Sequence, residues 1–111
     1  MLSLCGSSRI FLYTGPADMR KGFDGLTALV EDRFPGELVS GAAFVFFNSR
    51  KTLVKVLQWD GDGLSIWYKR LEKGTFAGAF SQSGSISRRD LMLILEGVVA
   101  KRFHQRFSLE K

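Results

Sequence analysis

Two β-rich runs, Leu53 to Trp59 and Leu64 to Leu71, flank the turn-forming residues Asp60-Gly61-Asp62-Gly63. That pattern predicts a β-hairpin, because glycine takes the positive φ of a tight turn without a Cβ clash. An even-length turn places Leu57, Trp59, Leu64, Ile66 and Tyr68 on one face, with Lys55 and Arg70 at its basic end. Val54, Val56, Gln58, Ser65, Trp67 and Lys69 fall on the other face. This second face is too apolar to stand in water and calls for a cover. The run before the hairpin, Ala42 to Asn48, is apolar at alternate positions of both parities, as in a central strand covered on both sides.

Upstream, Arg9 to Thr14 reads as a short strand ended by Gly15-Pro16. Met19, Phe23, Leu26 and Val30, with Leu29 alongside, recur at helical spacing. Asp18 stands where an N-cap is expected, and Pro35-Gly36 predicts a stop near Arg33. Gly22 and Gly25 fall inside this helix at a cost of about 1 kcal/mol each relative to alanine. Close approach of the helix backbone to the sheet or to a partner is the expected reason, with the sheet favoured. Downstream, Thr75 to Ser85 reads as a Gly/Ser-rich loop anchored by Phe76 and Phe80. Ser87 and Asp90 form a capping-box-like start for a second helix with Leu91, Ile94, Leu95 and Val98 as its buried stripe. Gly97 is a candidate stop. The fold predicted is α+β: a mostly antiparallel sheet of about four strands with two helices, in the order β-α-β-β-β-α. Residues 1–111 are expected to form a single domain, with a basic tail fraying from about residue 100.

Charge changes the picture more than composition does. The 45% hydrophobic and 24% charged content is that of an ordinary globular chain, but the net charge of +5 favours a polyanion as partner. Within the hairpin the charges separate. Arg50 and Lys51 precede the first strand, Lys55 lies near its start, and Lys69, Arg70 and Lys73 close the second. Asp60 and Asp62 occupy the tip, roughly 20 Å away at about 3.3 Å per residue. Antiparallel pairing makes one end positive and the other negative. Candidate nucleic-acid-binding residues are therefore Arg50, Lys51, Lys55, Lys69, Arg70 and Lys73, with Trp67 near enough to stack on a base. Arg20, Lys21, Arg88, Arg89, Lys101, Arg102 and Arg106 add charge at helix starts and in the tail.

Catalysis has little support. His104 is the single histidine and Cys5 the single cysteine, so a Cys/His metal site is excluded by count. A Cys–His nucleophilic pair would need both in one site. Asp60 with Asp62, and Asp18 with Asp24, lack a third acid for magnesium, and turn chemistry accounts for the first pair. No cofactor motif is present, and no apolar run reaches membrane-spanning length. The chain reads as a cytoplasmic non-enzyme, and its lone cysteine fits a reducing compartment.

Three stretches, GPADMRKGFDGLTALV at 15–30, SGAAFVFFNSRKTLVKVLQWDGDGLSIWYKRLEKGTF at 40–76 and LMLILEG at 91–97, closely resemble a known family. It is the small TnpB (Orf2-like) accessory protein of the IS-sixty-six-type bacterial insertion sequences. Its recurrent positions map onto Asp18, Met19, Arg20, Lys21, Gly22, Phe23, Trp59, Asp60, Gly61, Gly63, Lys69, Arg70, Leu71 and Glu72. The loop after Phe76 and the tail beyond Gly97 depart from the family pattern. The resemblance implies a role in DNA transposition beside a separate, larger transposase. It is compatible with two readings. In the first, the protein binds DNA at element ends through its basic hairpin end and assists the transposase. In the second, it docks on the transposase or another element-encoded protein without touching DNA, through the Val54, Val56 and Trp67 face and the Gly22/Gly25 helix surface. A homo-oligomer is compatible with either, and a membrane partner with neither.

Overall fold

The computed structural model describes residues 9–76, 84–87 and 89–95. Five strands form one mixed sheet in the order β4-β3-β2-β1-β5. They are β1 (Ile10–Leu12), β2 (Ala43–Phe47), β3 (Leu53–Trp59), β4 (Leu64–Arg70) and β5 (Gly84–Ile86). Helix α1 (Phe23–Arg33) links β1 to β2, and helix α2 (89–95) follows β5. The α+β class and the β-α-β-β-β-α progression hold, with one addition. The short strand β5 overlaps the end of the Ser- and Gly-rich stretch whose composition reads as loop, and it pairs antiparallel with β1. The sheet is mixed because β1 and β2 run parallel, a pairing that requires a crossover, supplied here by α1.

β2 is the middle strand, and all five of its residues are buried. Its alternation divides the core into two layers. Ala43, Val45 and Phe47 join Ile10, Leu12, Val54 and Val56 beneath Leu91, Ile94 and Leu95 of α2. Phe44 and Phe46 join Leu57 on the opposite side, against Leu26 and Val30 of α1. The sheet is thus sandwiched between helices, and α2 with Phe76 is the cover that the Val54/Val56/Trp67 face requires. Ser87 caps α2 as expected, its Oγ accepting from the Asp90 N–H at 2.9 Å.

Asp18 does not cap α1. The N-cap is Gly22, with no side-chain hydrogen bond, and residues 18–22 form a separate turn. The Asp18 carboxylate instead accepts from the backbone and guanidinium of Arg20, a closer partner than the helix N-terminus. Nor does Gly25 answer to the sheet. A Cβ there would lie 2.8 Å from Lys21 Cβ and 2.9 Å from Lys21 Cγ, whereas one on Gly22 would meet nothing within 4 Å. The helix needs glycine at 25 because the Lys21 side chain crosses it.

Cys5, Phe80, Arg88, Gly97, Val98, His104 and the basic tail lie outside the described residues.

Candidate nucleic-acid interface

The hairpin pairs Leu53 with Arg70, Val56 with Trp67 and Trp59 with Leu64, the register that an even-length turn dictates. The Asp60 N–H donates to the Gly63 carbonyl at 2.8 Å and Gly61 takes φ +85°. Asp60 and Asp62 stand exposed at this tip.

Three chain segments meet at the other end. The first is the turn after β2, organised by Asn48, whose Oδ1 accepts from the Thr52 and Leu53 N–H groups at 2.9 Å each. Its Nδ2 donates to the Thr52 hydroxyl at 3.0 Å. Lys51 turns the chain with φ +60°, and Arg50 is exposed at the apex. The second segment is the end of β4 together with residues 71–76. The Leu71 N–H donates to the Thr52 carbonyl at 2.9 Å and the Phe76 N–H to the Lys51 carbonyl at 2.7 Å, so Lys69, Arg70 and Lys73 lie beside the 48–52 turn. The third is the 18–22 turn. The Ala17 N–H donates to the Phe47 carbonyl at 2.9 Å, which carries Arg20 and Lys21 to the same end.

Lys55 fastens the third segment to the hairpin. It is only 8% exposed, and its ammonium donates to the carbonyls of Met19 and Lys21 at 2.8 Å each. The Tyr68 ring lies beneath it, 4.6 Å away. These contacts correct the placement of Lys55 among the phosphate-binding candidates. Its charge is committed internally, as a buried ammonium requires.

Trp67 packs half-buried against the core layer under α2. The exposed aromatic at the basic end is its neighbour Tyr68, 52% exposed and on the α1 face of the sheet. Phe23, at the start of α1, is 49% exposed. Sequence periodicity gives Tyr68 and Trp67 opposite faces but not which face α2 covers.

The remaining cations differ in their engagements. Among the described residues Arg50 and Lys69 carry no ion pair. Arg70 bonds Glu72, Nη2 to Oε2 at 3.0 Å, with both side chains largely exposed. Such a pair contributes little in water and exchanges readily for another anion. Arg20 holds Asp18 at 2.8 Å. Its guanidinium and backbone N–H bonds lower the Asp18 pKa from 3.8 to about 2, and the carboxylate raises that of Arg20 in turn. Leu71 packs against the core, and Trp59 is half-buried at the end of β3. The family-pattern residues therefore fall into two groups: 18–23 with 69–72 at the basic end, and Trp59 to Gly63 at the acidic tip.

Among the described residues no group of three or more His, Cys, Asp or Glu could hold a metal ion, and no helix is long and apolar enough to cross a membrane.

The fold is a small mixed sheet held between two helices, with cations gathered at one end. The chain belongs to the IS66 Orf2-like family, TnpB of IS66 elements, whose model matches residues 8–105. It is similar to two uncharacterised proteins of Sinorhizobium fredii (strain NBRC 101917 / NGR234). It is 34% identical to y4hO over 92 residues, covering 81% of this chain and 80% of that protein. It is 33% identical to y4jC over 92 residues, covering 81% and 79%. No solved structure matches the chain. Membership places the protein among accessory factors of insertion-sequence transposition.

Proposed function

We propose that the protein assists transposition by binding DNA through the basic end of its sheet, in the bacterial cytoplasm and beside a separate transposase. One observation carries this reading: turns 18–22 and 48–52 and segment 69–73 converge, bringing Arg20, Lys21, Arg50, Lys51, Lys69, Arg70 and Lys73 to one end. Phosphate contacts from such a cluster position a duplex without reading its sequence. Tyr68 is the group available for a base or sugar, replacing Trp67 in that role. The uncapped N-terminus of α1 adds a partial positive charge at the same end.

The docking reading keeps only part of the surface first assigned to it. Val54 and Val56 are buried beneath α2 and Gly25 is crossed by Lys21, while Trp67 is half-buried and Gly22 is open. Phe23 and Tyr68 are the exposed aromatics that docking on the transposase would add.

Titration of the full chain with element-end duplex across salt concentrations separates the two readings. If about five phosphates are neutralised, log K falls against log salt with a slope near −4.5. Replacing Arg50 and Lys69 by alanine reduces that slope by about two contacts' worth, near 1.8. A chain that ignores DNA, yet is retained by purified transposase equally at low and high salt, would establish docking in its place.

A further inference from the structure

β4 is the outermost strand, and among the described residues nothing pairs with its free edge. Which residues face that edge is set by the ladder. Asp60 bonds Gly63 and Leu71 bonds Thr52, so Ser65, Trp67 and Lys69 direct their backbone groups toward β3. Leu64, Ile66, Tyr68 and Arg70 direct theirs outward. Seven residues of unpaired edge form a template for another strand.

We propose that the occupant is a second copy of this chain, paired antiparallel through β4 about a two-fold axis at Trp67. In that register Leu64 meets Arg70 and Ile66 meets Tyr68, each twice, so every outward backbone group finds a partner. Ile66 with Tyr68 is a β-branched–aromatic cross-strand pair, a favourable kind. The charge distribution selects the same arrangement. Antiparallel pairing sets the tip with Asp60 and Asp62 of one copy beside the end with Lys69 and Arg70 of the other, at both ends of the seam; Glu72, which falls opposite Asp62, is already bonded to Arg70. No cation of β4 then faces a cation: Arg70 lies opposite Leu64 and Lys69 opposite Ser65. A parallel seam would set Lys69 and Arg70 against themselves and is disfavoured. The result is an isologous interface, in which one patch serves both partners. The seam shares Tyr68, Lys69 and Arg70 with the proposed DNA surface, whereas Arg50 and the 18–22 turn lie off the β4 edge.

Charge reversal provides the test, read by sedimentation equilibrium of the full-length protein from low to high micromolar concentration. The wild-type chain is expected to form a dimer that weakens with salt. K69E/R70E sets acid against acid, and D60K/D62K sets base against base, so each alone should weaken the dimer by about tenfold or more. An equimolar mixture of the two should recover a heterodimer, because both of its contacts are complementary. Tyr68→Pro removes one outward N–H without touching the β3 ladder and should also weaken pairing; circular dichroism verifies that each variant is folded. Hydrogen exchange at Leu64, Ile66, Tyr68 and Arg70 should slow as the dimer forms. Three results overturn the proposal: a wild-type monomer with rapid exchange at those amides, a monomer with the same amides protected by this chain's own segments, or a dimer indifferent to all the variants.

Discussion

The Lys55 ammonium donates to the Met19 carbonyl across 36 residues of sequence, and to the Lys21 carbonyl beside it. One side chain of β3 thereby holds the 18–22 turn at the basic end of the sheet. Lys55→Met keeps the apolar stem and removes the donors, leaving two carbonyls short of a partner. Urea unfolding should show a loss of about 2–3 kcal/mol. Backbone amide shifts of residues 18–22 should move more than those of β2.

The crossing of Lys21 over Gly25 yields a coupled pair. Gly25→Ala would ordinarily stabilise a helix by about 1 kcal/mol. Here the new methyl meets the Lys21 Cβ at 2.8 Å, close to a backbone that Lys55 anchors, so a net loss of about 1 kcal/mol is expected. With Lys21→Gly already present the obstruction is gone, and the same alanine should become stabilising. A double-mutant cycle by thermal melting checks the change of sign.

Asn48 shapes the turn that displays Arg50. Asn48→Ala leaves the Thr52 and Leu53 N–H groups without their acceptor, and a loss of about 1–2 kcal/mol is expected from denaturant titration. If the Arg50 end binds DNA, affinity should fall as well, although Asn48 itself need touch no phosphate.

Asp18 supplies a pH signature. Its folded pKa of about 2 lies below the ordinary 3.8, so its contribution to stability is fully present above 3.8. That contribution is lost as pH falls through about 2. Arg20→Ala removes the principal cause and should return the titration, followed by the Asp18 carboxyl carbon shift in NMR, toward 3.8. An Asp18 that still titrates near 2 in that variant would show the guanidinium to be irrelevant.

Much of this molecule is legible in its sequence, for reasons that differ by element. The hairpin register is set by an even turn between two strands, so both faces of β3 and β4 and the gathering of Lys69 and Arg70 near Arg50 come from counting. β2 is legible as central because Ala43 to Phe47 offers no polar position. The strand β5 is not, because Gly84 and Ser85 resemble loop and gain strand geometry only by pairing with β1. Asp18 precedes a periodic run as an N-cap would, yet a guanidinium two residues away outcompetes the helix end for it. Periodicity puts Lys55 on the α1 face without saying that carbonyls of a distant turn wait there. Trp67 and Tyr68 exchange roles for the same reason: the choice of covered face is made by α2, which no local pattern fixes.

The lengthwise separation of carboxylates and cations also gives the hairpin of each copy a dipole along its strands. In the field of any polyanion such a dipole experiences a torque before it makes contact, turning the 48–52 turn forward and Asp60 and Asp62 to the rear. Such a torque acts only within about a Debye length, near 10 Å at moderate salt, and if the protein binds DNA it favours arrival on the cationic side.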